Sequence, residues 1–88
     1  MIDYTVKIKA SAQKELRQLD KKLAQRILIA INNFATGKPC DIKKMQGTEN
    51  KYRIRVNQYR VLVEVLVIDN IAYVYKIAHR REVYKNLP

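Results

Sequence analysis

The stretch KYRIRVNQYR gathers Lys51, Arg53, Arg55 and Arg60 with no acidic residue among them. Alternation puts Arg53 and Arg55 on one face of a strand and Tyr52, Ile54 and Val56 on the other. A two-residue turn at Asn57-Gln58 returns the chain as Tyr59 to Val67, bringing Val56 opposite Tyr59 and Arg55 opposite Arg60. Like charges directly opposed destabilise a sheet by up to ~1 kcal/mol, so the arginine pair calls for an anion. A second cationic group, His79, Arg80 and Arg81, precedes Tyr84 in HRREVYKNLP. Guanidinium forks match phosphate oxygens bidentately, and the combined set suits a phosphodiester gripped on both sides of a scissile bond.

RNA carries its own nucleophile, the 2′-hydroxyl beside the phosphorus. Metal-free cleavage then needs a base for that hydroxyl, positive charge around the phosphorane and neutralisation of the departing 5′-oxygen. Tyr84 is one candidate base: its ordinary pKa of ~10 is unfavourable, but surrounding cations stabilise a phenolate. His79 is the easier base on pKa alone. Both also have plainer readings, Tyr84 as an aromatic staple for the chain end and His79 as a hydrogen-bonded strand-end residue. Arg81 beside Glu82 reads equally as surface charge, and Tyr73 and Tyr75 as packing rather than base-stacking platforms. A single His, a single Cys and 2 glycines leave no metal-ligand cluster, dinucleotide fingerprint or phosphate loop to write, so no cofactor is expected.

The 88 residues are read as one domain, 1–88, whose 18 lysines and arginines against 8 acidic residues give a net charge of +10. A polyanion partner is the default inference from that balance. The chain start lacks the apolar core of a signal peptide and no run is long enough for a bilayer, so a cytoplasmic protein without membrane partners is expected. Cys40 stands alone, which excludes an internal disulfide and suits a reducing compartment.

Four kinds of element must position these residues. Ile2, Tyr4, Val6 and Ile8 alternate as a first strand. Ser11 is expected to cap a helix with Ala12, Leu16 and Leu19 on its stripe, and Asp20 a second carrying Leu23, Ile27, Ile31 and Phe34. Gly37 and Pro39 end this helical hairpin, and Lys38 to Asn50 is a polar connection anchored by Met45. After the arginine hairpin, a tight turn at Asp69-Asn70 leads into a third strand, Ile71 to His79. With a two-residue loop His79 lies across from Arg60; with a bulge the facing flips, and Lys76 and Arg80 join the arginine face. Val83 and Leu87 at i,i+4 spacing predict a closing helical turn. The fold class is α+β: an N-terminal strand, a helical hairpin on one sheet face, then an antiparallel three-strand meander with a short C-terminal helical turn. Ile54, Val56, Val61, Val63 and Val65 complete the expected core.

The order and spacing of YRIRV, QYR and AHRREVY behind a strand and helical hairpin resemble the RelE branch of the RelE/ParE toxin superfamily, over essentially the whole chain. The resemblance implies a ribosome-dependent, metal-independent endoribonuclease that cuts mRNA to a 2′,3′-cyclic phosphate and is neutralised by a RelB-type antitoxin. It puts Arg60 at the phosphate-binding arginine, Arg80 beside the leaving group and Tyr84 at the general base. Arg53 and Arg55 stand where the best-known RelE toxins have lysines, keeping the positive field but unable to donate a proton as lysine can. The interval from Arg80 to Tyr84 is shorter than in some relatives, and other branches use a His nearby, so Tyr84 and His79 stay rivals. Lys51, Lys76 and Arg81 join Arg53 and Arg55 as expected RNA contacts. The alternatives are a ParE-like inhibitor of DNA gyrase and a noncatalytic nucleic-acid-binding module. On the first reading the anion between Arg55 and Arg60 is an mRNA phosphate or an acidic antitoxin side chain.

Overall fold

Strand signals at both ends of the chain and two amphipathic stripes between them assemble, in a computed structural model that describes residues 3–83, into a sheet with helices on one face. The order is β1 (Thr5–Ile8), α1 (Ala10–Arg17), α2 (Lys21–Ala35), β2 (Ile42–Lys44), β3 (Lys51–Val56), β4 (Tyr59–Leu66) and β5 (Ile71–His79). The five-stranded sheet runs β1-β5-β4-β3-β2. β2 to β5 form antiparallel pairs, whereas β1 lies parallel to β5. The α+β expectation holds, with two additions. β2 arises inside the segment read as a polar connection, and the sheet is mixed because β1 docks on β5.

The helix starts differ in their chemistry. Asp20 caps α2 as expected, its Oδ2 accepting from the amides of Lys22 at 3.1 Å and Leu23 at 3.3 Å. Asp20→Ala should cost about 1 kcal/mol, seen as a lower urea midpoint at unchanged slope. The Ser11 cap is corrected: α1 begins at Ala10, Lys9 occupies the cap position without a side-chain bond, and Ser11 lies inside the first turn. Strand pairing explains the shift, because the Lys9 amide still donates to Val74 O at 2.8 Å and the helix starts directly after it. Gln13 then closes the gap, donating from Nε2 to Ile8 O at 2.9 Å. At the far end of α2, Gly37 turns left-handed at φ 74°, where a side chain would be strained.

Ala12, Ile27 and Ile31 pack from the helices onto Ile54, Val56, Val61, Val63, Val74 and Ile77 of the sheet. Val65 is also buried. Leu16, Leu19, Leu23 and Phe34, expected inside, are half-buried at the margin of this core. Two short helices on a small sheet leave their flanking positions at the edge of the layer. Arg53, Arg55 and Arg60 alternate with Ile54, Val56 and Val61, and so lie on the face away from the helices.

The hairpin from β3 to β4 has the expected register, Val56 opposite Tyr59 and Arg55 opposite Arg60, with Asn57 left-handed at φ 54°. The next connection is longer than expected. Leu66 pairs with Ile71, so residues 67–70 form the loop in place of Asp69-Asn70 alone, and Asn70 at φ 56° donates to Asp3 O at 2.6 Å. Two extra loop residues leave the facing unchanged; the register shift between Leu62 and Val63 then flips it. The bulged alternative is therefore the one realised, with Tyr75 as the inserted residue. Beyond β5, the amides of Glu82 and Val83 return to His79 O at 2.7 and 3.0 Å, and Val83 is fully buried. Ile2, Tyr84 and Leu87 lie outside the described residues. Among those described, no helix is long and apolar enough to cross a membrane.

Candidate nucleic-acid interface

Register places the cations of the outer face in two rows. One crosses the sheet as Lys43, Arg53, Leu62 and Lys76, each opposite the next on the neighbouring strand. The other runs Arg55, Arg60 and Ala78. Adjacent strands stand roughly 4.8 Å apart and the rows are separated by two residues of rise, about 7 Å, so the guanidinium and ammonium groups share one small area. Leu62 is fully buried although it sits in a row of the charged face. Ala78, a short side chain, stands across from Arg60. Asp41, Lys43, Arg53, Arg55 and Arg60 line an open cavity of about 290 Å³.

Asp41 was not visible to sequence reasoning as part of this group. Its carbonyl accepts from the Arg55 amide at 2.9 Å, and its Oδ2 accepts from Arg55 Nε at 2.6 Å. Arg60 turns its Nη1 to Tyr59 O at 2.9 Å and Asn57 O at 3.2 Å, over the hairpin turn. The inference that the facing arginines lack an anion is thus corrected: Asp41 already answers part of the repulsion. Only the pairing of β2 with β3 brings it there, and no local pattern announces that pairing. The pair is exposed, 62% for Arg55 and 55% for Asp41, so solvent screens it to about 0–1 kcal/mol. An incoming phosphate can displace it. Asp41→Asn should therefore bind a single-stranded oligonucleotide several-fold more tightly at low salt, measured by fluorescence anisotropy. Weaker binding would mean that Asp41 orients Arg55 for the ligand instead of competing with it.

The remaining sequence candidates divide by face. Lys51 stands opposite Glu64 on the outer face, its ammonium 5.6 Å from the Tyr75 ring centroid. Lys76 joins Arg53 through Leu62. His79 does not join them: it pairs with Tyr59 on the helix-bearing face, ring centroids 5.6 Å apart and nearly perpendicular. Its Nδ1 accepts from the Arg81 amide at 3.2 Å. Arg80 and Arg81 are exposed, and the Arg80 amide donates to Gln58 O at 2.7 Å, drawing the end of β5 against the turn that precedes Tyr59 and Arg60.

Burial first, and the Asp41 charge second, push the Cys40 thiol above its ordinary pKa, which keeps it protonated and a poor nucleophile. Among the described residues no group of His, Cys, Asp and Glu is placed to hold a metal ion.

The chain matches known proteins over nearly its whole length. Residues 6–84 match the family described as ParE toxin of type II toxin-antitoxin system, parDE. The RelE1 protein of Methanocaldococcus jannaschii is 32% identical over 94% of this chain and 97% of its own length. Toxin RelE3 of the same organism is 34% identical over 85% of this chain and 89% of its own. A solved RelB-RelE antitoxin-toxin complex from Methanococcus jannaschii superimposes with a TM-score of 0.75 at 27% identity, covering 92% of this chain and 98% of that one. The chain belongs to the ParE/RelE family of type II toxin–antitoxin toxins, and within it is a toxin of the RelE kind.

Proposed function

We propose that this toxin is a ribosome-dependent endoribonuclease that cuts mRNA and is neutralised by a RelB-type antitoxin. The observation that carries the reading is the convergence of Arg53, Arg55, Arg60 and Lys76 in two rows on the helix-free face. Such a field stabilises the extra negative charge of a pentacoordinate phosphorane more than that of the starting diester. The 2′-oxygen attacks phosphorus as its proton passes to a base; the bond to the 5′-oxygen breaks, and that oxygen takes up a proton. The products are a 2′,3′-cyclic phosphate and a free 5′-hydroxyl. Arg60 is assigned to the phosphate, Arg53 and Arg55 to the surrounding field, and Arg80 to the leaving side. Of the two rival bases, His79 lies on the wrong face, which favours Tyr84.

The antitoxin assignment is supported by relatives solved as RelB-RelE complexes. A basic toxin of net charge +10 suits an acidic partner, and both are taken to work in the cytoplasm.

A ParE-like gyrase inhibitor is the second reading, favoured by the description of the matching family. The deciding experiment incubates the toxin with ribosomes carrying a defined mRNA and examines the new RNA ends. Cuts bearing a 2′,3′-cyclic phosphate, abolished by the cognate antitoxin, are expected. Intact mRNA together with inhibited gyrase supercoiling would transfer the function to the second reading.

A further inference from the structure

The bulge in β5 does more than reverse the facing of one strand end. Tyr75 and Lys76 are consecutive, and in a regular strand they would point to opposite faces. Here both line a single open groove of about 800 Å³ together with Lys51. The inserted residue re-aims a side chain that alternation would have sent into the helix layer. The ring is held in place: its hydroxyl contacts Met45 Sδ at 3.6 Å, and the Lys51 ammonium stands 5.6 Å from its centroid. Lys9, at the cap position, and Lys14 of helix α1 line the same groove. Its Glu15 is occupied, accepting from the Ile77 amide at 3.2 Å.

This groove adjoins the arginine cavity by way of shared lining residues. It shares Met45 and Gln46 with a second depression that contains Lys43 and Arg53, and these two residues also line the cavity of Arg55 and Arg60. A positively charged channel with an aromatic ring set among its cations has the composition that tracks single-stranded nucleic acid, phosphates on the cations and a base on the ring. An acidic peptide would use the cations but has no need of the ring.

We propose that this groove carries the mRNA nucleotides flanking the cleaved one, with Tyr75 as a stacking platform for one base and Lys14, Lys51 and Lys76 against the phosphates. The proposal rests on the ribonuclease reading and extends it to how the strand is held.

The chain has no tryptophan, so Tyr75→Trp introduces a single indole reporter. The probe is an eight-nucleotide 2′-O-methyl RNA, which lacks the attacking hydroxyl and stays intact. Expected is quenching of the indole on binding. In the otherwise unaltered chain, Lys14→Ala and Lys76→Ala should each lower the slope of log affinity against log salt by about 0.7. A second pair guards against misfolding of the Trp variant: Tyr75→Leu should weaken oligonucleotide binding roughly tenfold while Tyr75→Phe preserves it. Binding without quenching, with unchanged salt slopes and equal affinity for the Leu and Phe variants, overturns the proposal. So does quenching by a polyglutamate peptide but not by the oligonucleotide. The cleavage assay on ribosomes is read separately: mRNA cut by a protein that fails these tests removes the groove and leaves the ribonuclease reading intact.

Discussion

Replacing Arg60 with Ala is expected to slow single-turnover cleavage of ribosome-bound mRNA on the order of 10²-fold or more. Arg60 faces Arg55 on one side and small Ala78 on the other, which sets a second cation directly across from it and a short side chain beside it. It also sits beside the turn that receives the end of β5 through the Arg80 amide. The loss should fall on the chemical step, because the charge it opposes is largest in the phosphorane. Folding should survive. The substitution removes the Nη1 bonds to Asn57 O and Tyr59 O, but it also removes one of two like charges facing each other across the ladder. Arg60→Lys should recover only part of the rate, since an ammonium restores the charge without the bidentate fork. An Arg60→Ala protein that cuts at the parental rate would refute the phosphate clamp and promote the gyrase or plain binding readings. In the same assay Tyr84→Phe should be slow and His79→Ala near parental; the reverse order would return the base to His79 despite its face.

Leu62→Ala should produce the largest loss of stability, about 2–5 kcal/mol by urea denaturation. Leu62 is fully buried, yet it belongs to the charged row, flanked in register by Arg53 and Lys76. Truncation removes apolar burial and leaves a void that neighbouring strands cannot close without moving the cations. Against a total stability of roughly 5–15 kcal/mol for a domain, that is a large share. The reference substitution is Leu28→Ala on the outer side of α2, where Leu28 is 45% exposed and a change within about 0.5 kcal/mol is expected. Equal costs for the two would show that Leu62 is not what holds the sheet together there.

How far the sequence could be read depended on how local each signal was. The hairpin carrying Arg55 and Arg60 was legible to the residue, because strict alternation on both sides of a two-residue turn allows only one register. Asp20 announced α2 by a cap whose partners are two and three residues away. β2 was not legible: Ile42-Lys43-Lys44 is too short for a period to emerge and is two-thirds lysine. Asp41 was lost with it. The bulge at Tyr75 left two facings for β5 that no composition could separate, and so the side of the sheet taken by His79 and Lys76 waited for the register itself.

The placement of β5 also bears on synthesis. The strand translated last among the described elements lies inside the sheet, between β1 and β4, and supplies the ladder partner of both. Until it emerges, β1 has no neighbour to pair with, β4 is a bare edge, and neither Lys76 nor the end that meets Arg60 is in place. A nascent chain therefore closes its most distant contacts at the last moment, which is the slow and entropically costly order of assembly. For a protein read as cutting mRNA on ribosomes, the ribosome making it is the one met earliest, and the late strand withholds Lys76 and the sheet's last partner from the cationic face until translation ends.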